Sequence, residues 1–86
     1  MSDQPTLTVT PDAGVGGFAT VLGALKGYSL AVEYDTGWGS PAWVEGYVER
    51  VDFDFRRDEH ILRVGHDDTA TIDSIKVESI TRAVFL

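Results

Sequence analysis

The chain contains no cysteine, so neither disulfide bridges nor thiolate metal sites can reinforce its core. It is also poor in base: seven Lys and Arg stand against fourteen Asp and Glu, a net charge of −7. A surface of that sign repels phosphate, which argues against a broad nucleic-acid-binding face. No apolar run approaches the roughly 18 to 20 residues needed to span a bilayer. The first residues, Met1 to Pro5, lack the basic start and apolar stretch of a signal peptide, so a cytoplasmic location is expected. No cofactor motif stands out, and no membrane partner is expected.

What is present fits one small domain. The 86 residues are 43% hydrophobic and 24% charged, an ordinary globular balance. A chain of this length buries only about 60% of the surface its unfolded form exposes, so its stability margin is thin unless copies associate. Asp exceeds Glu nine to five and Arg exceeds Lys five to two, a bias that resembles the proteins of salt-loving archaea or of other high-GC organisms.

Residues 1–17 are polar and then glycine-rich, and read either as a flexible tail or, over the alternating Thr6 to Thr10, as an edge strand. Residues 18–86 form the expected domain. Phe18, Val21, Leu22 and Leu25 fall at i, i+3, i+4 and i+7, predicting one short helix with this face buried and Gly27 as its stop. The period then becomes two. Leu30, Val32 and Tyr34 share one face of a first strand, and Asp35 to Pro41 is a glycine-rich turn.

The second strand is long. Val44, Gly46 and Val48 share one face, but Val51, Phe53 and Phe55 have the opposite parity. One extra residue near Glu49 and Arg50, a β-bulge, would bring all six to the core side. A third strand runs from His60 to Val64. A short strand from Thr69 to Ile72 leads into a tight helical turn, with Asp73 as its cap, and the last strand spans about Val77 to Phe85.

Together these elements predict a mainly β fold and resemble a five-stranded SH3-like or Sm-like small barrel with one short N-terminal helix. The segments "YSLAVEYDTG", "VEGYVERVDFDF", "HILRVG" and "TIDSIKVESI" carry the likeness. In this order they resemble the Rof family of transcription-termination inhibitors, small acidic proteins that bind the Rho factor. The opening and closing segments "ALKGYSLAVEYDTG" and "ATIDSIKVESI" are also similar to WYL domains, which are ligand-sensing barrels; the Trp-Tyr-Leu tripeptide itself is absent. The Rof likeness implies a protein partner, and the WYL likeness a small-molecule ligand. A third implication, an Sm-like RNA-binding ring, runs against the excess acid.

Two motifs invite overreading. Gly14-Val-Gly-Gly-Phe-Ala19 is a literal G-x-G-x-x-A before a helix, but the preceding strand alternates with threonine and the chain is too short for a dinucleotide-binding sheet. His60, His66, Asp67 and Asp68 offer metal-ligand chemistry. The strand between the two histidines, however, holds them about 17 to 20 Å apart, too far for one zinc ion. No serine and carboxylate accompany either histidine in sequence, so no enzyme activity is expected.

The aromatics are the remaining signal. With Val44 and Val48 inward, alternation puts Trp43, Glu45, Tyr47 and Glu49 outward, and Trp38 sits in the turn. Exposed Trp and Tyr are common interface anchors; packed beneath the helix or the tail, Trp43 and Tyr47 would serve stability alone. The candidate partner-binding residues are therefore Trp38, Trp43, Glu45, Tyr47 and Glu49, in a non-enzymatic regulatory or interaction module. Self-association is expected through the edge of the closing strand, which ends in Ala83-Val-Phe-Leu86.

Overall fold

The structure, a computed structural model, describes residues 7–11 and 14–85. Its elements are β1 (Leu7–Val9), α1 (Val15–Ala24), β2 (Ser29–Asp35), β3 (Pro41–Asp54), β4 (Glu59–Gly65), β5 (Ile72–Lys76), a 3-10 turn (Val77–Ser79) and β6 (Ile80–Phe85). Strands β2 to β5 form an antiparallel meander. The 3-10 turn then carries the chain back so that β6 pairs with β2, giving the order β1-β6-β2-β3-β4-β5. The sheet thus has six strands where five were expected, and its ladder does not close: β1 and β5 are the edges. Among the described residues no helix is long and apolar enough to cross a membrane.

The sixth strand comes from the alternating segment near the N-terminus, where Leu7 to Val9 pair with Phe85 to Ala83. The closing strand is therefore not the exposed edge the sequence suggested. Over Ala83 to Phe85 it lies between β1 and β2, with backbone partners on both sides.

The bulge falls where the parity change required it. Val48 pairs with Val64 and Arg50 with Arg63, leaving Glu49 as the extra residue. Val48 is fully buried, and Val51 packs against the same core. Beyond Val51 the expectation needs correction. The β3–β4 hairpin runs past the core, so Phe53 is 37% exposed, and Phe55, in the turn, is 87% exposed.

Close approach of β3 and β4 explains two glycines. A β-carbon at Gly46 would overlap the Gly65 carbonyl oxygen and stand 2.7 Å from Val64 Cγ1, and one at Gly65 would stand 2.5 to 2.7 Å from the Tyr47 ring and hydroxyl. Both strands can coil this tightly only without those side chains.

Helix α1 lies against β3, β4 and the 3-10 turn. Its buried stripe is Phe18, Ala19 and Leu22, whereas Val21, expected inside, is 40% exposed. The helix is rotated so that the small Ala19, rather than Val21, meets the sheet. After α1 the chain turns at Gly27, which has a φ of 90°. Its N–H donates to the Val48 carbonyl at 2.8 Å, and Tyr28 O accepts from Val48 N at 3.0 Å. The helix end is thus fastened to β3 one residue before the bulge.

The closing corner also differs from the sequence expectation. Ile72 to Lys76 form a strand, in which Ile75 pairs with Leu62 and is buried, and the helical turn lies later, at Val77–Ser79. Asp73 caps no helix; its carboxylate meets His66. Leu22, Leu30, Val32, Val48, Leu62, Val64 and Val77 are fully buried, and no polar or charged residue is buried among the described residues. Each such side chain contributes about 1.5 to 3 kcal/mol by leaving water.

Candidate interaction face

The core-facing residues fix which side chains must point away. Leu30, Val32, Val48, Ala83 and Phe85 are inside. By strand alternation Glu33 on β2, Trp43, Glu45 and Tyr47 on β3, and Arg82 and Val84 on β6 lie on the outer face. Register sets them side by side: Trp43 opposite Glu33, Glu33 opposite Arg82, and Glu45 opposite Ala31, which is opposite Val84.

Trp43 is 47% exposed, so the sheet covers one side of the indole while the rest stays open. The Arg82 guanidinium carbon sits 5.0 Å from its ring centroid, a cation–π contact. Glu33 holds that arginine in place, with Oε1 3.3 Å from Arg82 Nε. The same oxygen accepts from the Thr81 hydroxyl at 2.8 Å. Thr81 is the extra residue where the β2–β6 register shifts, and the bulge brings its hydroxyl to Glu33. A depression of about 390 Å³ opens beside this cluster, lined by Glu33, Asp35, Gly39, Ser40, Pro41 and Thr81.

Trp38 stands in the adjoining loop and is 90% exposed. Local hydrogen bonds shape that loop. Asp35 Oδ1 accepts from Gly37 N at 2.8 Å, and Thr36 Oγ1 accepts from Trp38 N at 3.2 Å and donates to the Ser40 carbonyl at 3.1 Å. Gly37 and Gly39, at φ of 82° and 89°, supply the left-handed backbone the turn demands. The loop is thus held in a defined shape with its indole in solvent.

At the other end of the row Tyr47 is partly buried, its ring lying over Gly65. With Glu45, Ser29, His66, Asp67 and Asp68 it lines a second depression of about 350 Å³. Glu45 is exposed, and Glu49, partly buried, occupies the bulge. The five sequence candidates therefore divide: Trp43, Glu45 and Tyr47 form one row, Trp38 flanks it in the loop, and Glu49 lies past it where the strand bends. Glu33, Thr81 and Arg82 belong with Trp43 but were not expected. Alternation alone could have placed Glu33 outward; its link to β6, 48 residues away, has no local sequence signal.

The histidines sit at opposite ends of β4. His66 Nε2 is 2.8 Å from Asp73 Oδ2, and His60 stacks edge-on against Phe53 at 4.8 Å between centroids. Among the described residues no group of three or more His, Cys, Asp or Glu side chains is placed to hold a metal ion. On the outer side of β3 and β4, Asp52 is clasped by Arg63 Nε at 2.9 Å and Arg50 Nε at 3.0 Å, while Arg63 also bonds Ser74. The Arg63 hydrogen bond, joined by that of Arg50, holds the Asp52 carboxyl below the usual carboxylate range.

No family model, curated protein or solved structure matches the chain.

Proposed function

We propose that the chain is a non-enzymatic interaction module, related in architecture to SH3-like and Sm-like small barrels, that offers an aromatic and acidic face to a basic protein segment. The observation that carries this reading is the Trp43 site. Its half-open indole already takes one guanidinium, from Arg82, with Glu33 directly across the β2–β3 register, Asp35 and Glu45 each two residues along the same face, and the 90%-exposed Trp38 in the loop that joins the two strands. An indole face rimmed by carboxylates suits a partner's Arg or Lys, through cation–π attraction and charge-assisted hydrogen bonds. The charge of −7 would steer such a partner and speed encounter at low salt.

The architectural kinship rests on the run β6-β2-β3-β4-β5, the bulged β3 and the 3-10 turn before β6. A protein partner is also what the likeness to Rof-type inhibitors implies.

Calorimetric titration with an arginine-rich peptide at physiological salt tests it. Saturable binding is expected, weakened about tenfold or more by Trp43→Ser and severalfold by Glu45→Gln. Asp58→Asn, the same charge change in the distant β3–β4 turn, should leave affinity within about twofold. Affinity indifferent to Trp43→Ser would defeat the reading.

A further inference from the structure

The tip of the β3–β4 hairpin has a chemistry unlike the rest of the chain. Phe55 is 87% exposed and packs edge-on against Phe53 at 4.9 Å between centroids, and Phe53 meets His60 in turn. Next to these rings stand Arg56 and Arg57. Arg50, Arg63, Arg82 and Lys76 are all in ion pairs, whereas neither tip arginine enters one among the described residues. The tip backbone is held in shape: Asp54 Oδ1 accepts from Arg56 N at 3.0 Å and Arg57 N at 3.3 Å, and Asp58 takes the left-handed conformation at φ 55°. An apolar and cationic knob on a fixed turn loses little entropy on docking.

The complement lies on the same molecule. A groove of about 670 Å³ runs between the end of β2 and β5, with Tyr34, Ile75 and Ile80 as apolar lining and Asp35 and Glu78 as acids. Its one basic residue, Lys76, is drawn to Glu59 at 3.4 Å. Neither Asp35 nor Glu78 pairs with an arginine or lysine among the described residues. Among the described residues the β5 edge bordering the groove has no strand partner. Knob and groove adjoin, because the His60 N–H at the base of the tip donates to Glu78 Oε1 at 3.2 Å.

We infer that two copies of this chain associate about a two-fold axis, each placing Phe55, Arg56 and Arg57 in the β2–β5 groove of the other. The two-fold axis makes the two contacts reciprocal, so the assembly closes at a dimer instead of growing. Phe55 leaves water against the half-buried Tyr34, over a groove floor of the buried Ile75 and Ile80, and the two arginines meet Asp35 and Glu78. The groove shares Asp35 and Thr81 with the depression beside Trp43, but the tip residues Phe55, Arg56 and Arg57 lie outside the Trp43 face, so tip variants test this inference separately from the proposed function.

Sedimentation velocity from about 10 µM to 1 mM, the range where weak dimers dissociate, tests it. The wild type should shift from monomer to dimer, with the midpoint moving upward as salt is added. Phe55→Ser, at a site too exposed to affect folding, should weaken association about tenfold or more. Arg56→Glu with Arg57→Glu, and separately Asp35→Lys with Glu78→Lys, should each be monomeric alone, while an equimolar mixture should restore a heterodimer, because both reciprocal contacts regain opposite charge. Circular dichroism verifies that each variant is folded. A wild type monomeric throughout, a dimer indifferent to Phe55→Ser, or a tip that binds an acidic peptide without self-association would overturn the inference.

Discussion

Replacing Gly46 with alanine should be costly out of proportion to the single methyl group added. The new β-carbon would overlap the Gly65 carbonyl oxygen and crowd Val64 Cγ1. The first obstacle is backbone in the neighbouring strand, which cannot swing aside as a side chain can. Overpacking of this kind costs about 1 to 3 kcal/mol, partly offset by the roughly 0.5 to 1 kcal/mol that Ala gains over Gly within a regular element. A net loss of about 1 to 2 kcal/mol is expected, in the upper part of that difference because the obstacle is backbone. For a domain of this size it lowers Tm by about 4 to 16 °C. It is also a large share of a total stability of about 4 to 13 kcal/mol.

Thermal and urea unfolding followed by circular dichroism would measure the loss, with the urea m-value unchanged if the fold is kept. Gly65→Ala makes a control with a different obstacle, the Tyr47 side chain. It should cost less, and its penalty should vanish in a Tyr47→Ala background, a coupling of about 0.5 to 3 kcal/mol in a double-mutant cycle. A Tm for Gly46→Ala within about 2 °C of wild type would refute the close strand approach.

Gly23 gives the opposite expectation. It lies inside α1, and a β-carbon there would meet Val51 at an ordinary 3.9 Å, so Gly23→Ala should stabilise by about 0.5 to 1 kcal/mol, seen as a rise in Tm. Acid should weaken the fold partly through Asp52. Its folded pKa lies below the ordinary 3.8 of an aspartate, so the stabilisation from Arg63 and Arg50 is full above that value and fades as pH falls through the folded pKa. Asp52→Asn should flatten the stability profile below about pH 4 while leaving its shape near neutrality unchanged. Arg82→Ala should uncover the Trp43 indole and shift its fluorescence to the red, with a stability cost of only about 0.5 to 1 kcal/mol.

The features legible in the sequence are those governed by local rules. The bulge at Glu49 announces itself because apolar parity cannot change within one strand without an extra residue. The β2–β3 loop is legible from glycines that tolerate positive φ, and the outward row Trp43, Glu45 and Tyr47 follows from alternation with Val44 and Val48. What escaped depends on contacts between distant segments. Whether Leu7 to Val9 pairs depends on β6 offering a free edge, and Phe55 looks like a core residue until the hairpin's overhang is known. The helix face was misjudged at Val21 because spacing gives a stripe but not its exact rotation against the sheet. The Glu33, Thr81 and Arg82 group around Trp43 needs the β2–β6 register, which no local pattern encodes.

Chemical-shift mapping of the labelled protein during titration with an arginine-rich peptide would settle whether the outer face is the one that binds. The expected result is saturable shifts concentrated at Glu33, Trp38, Trp43, Glu45 and Arg82, including both indole N–H signals, with the α1 amides unmoved. Shifts spread evenly over acids on every side of the molecule, or centred on α1 while the Trp43 indole stays still, would contradict it.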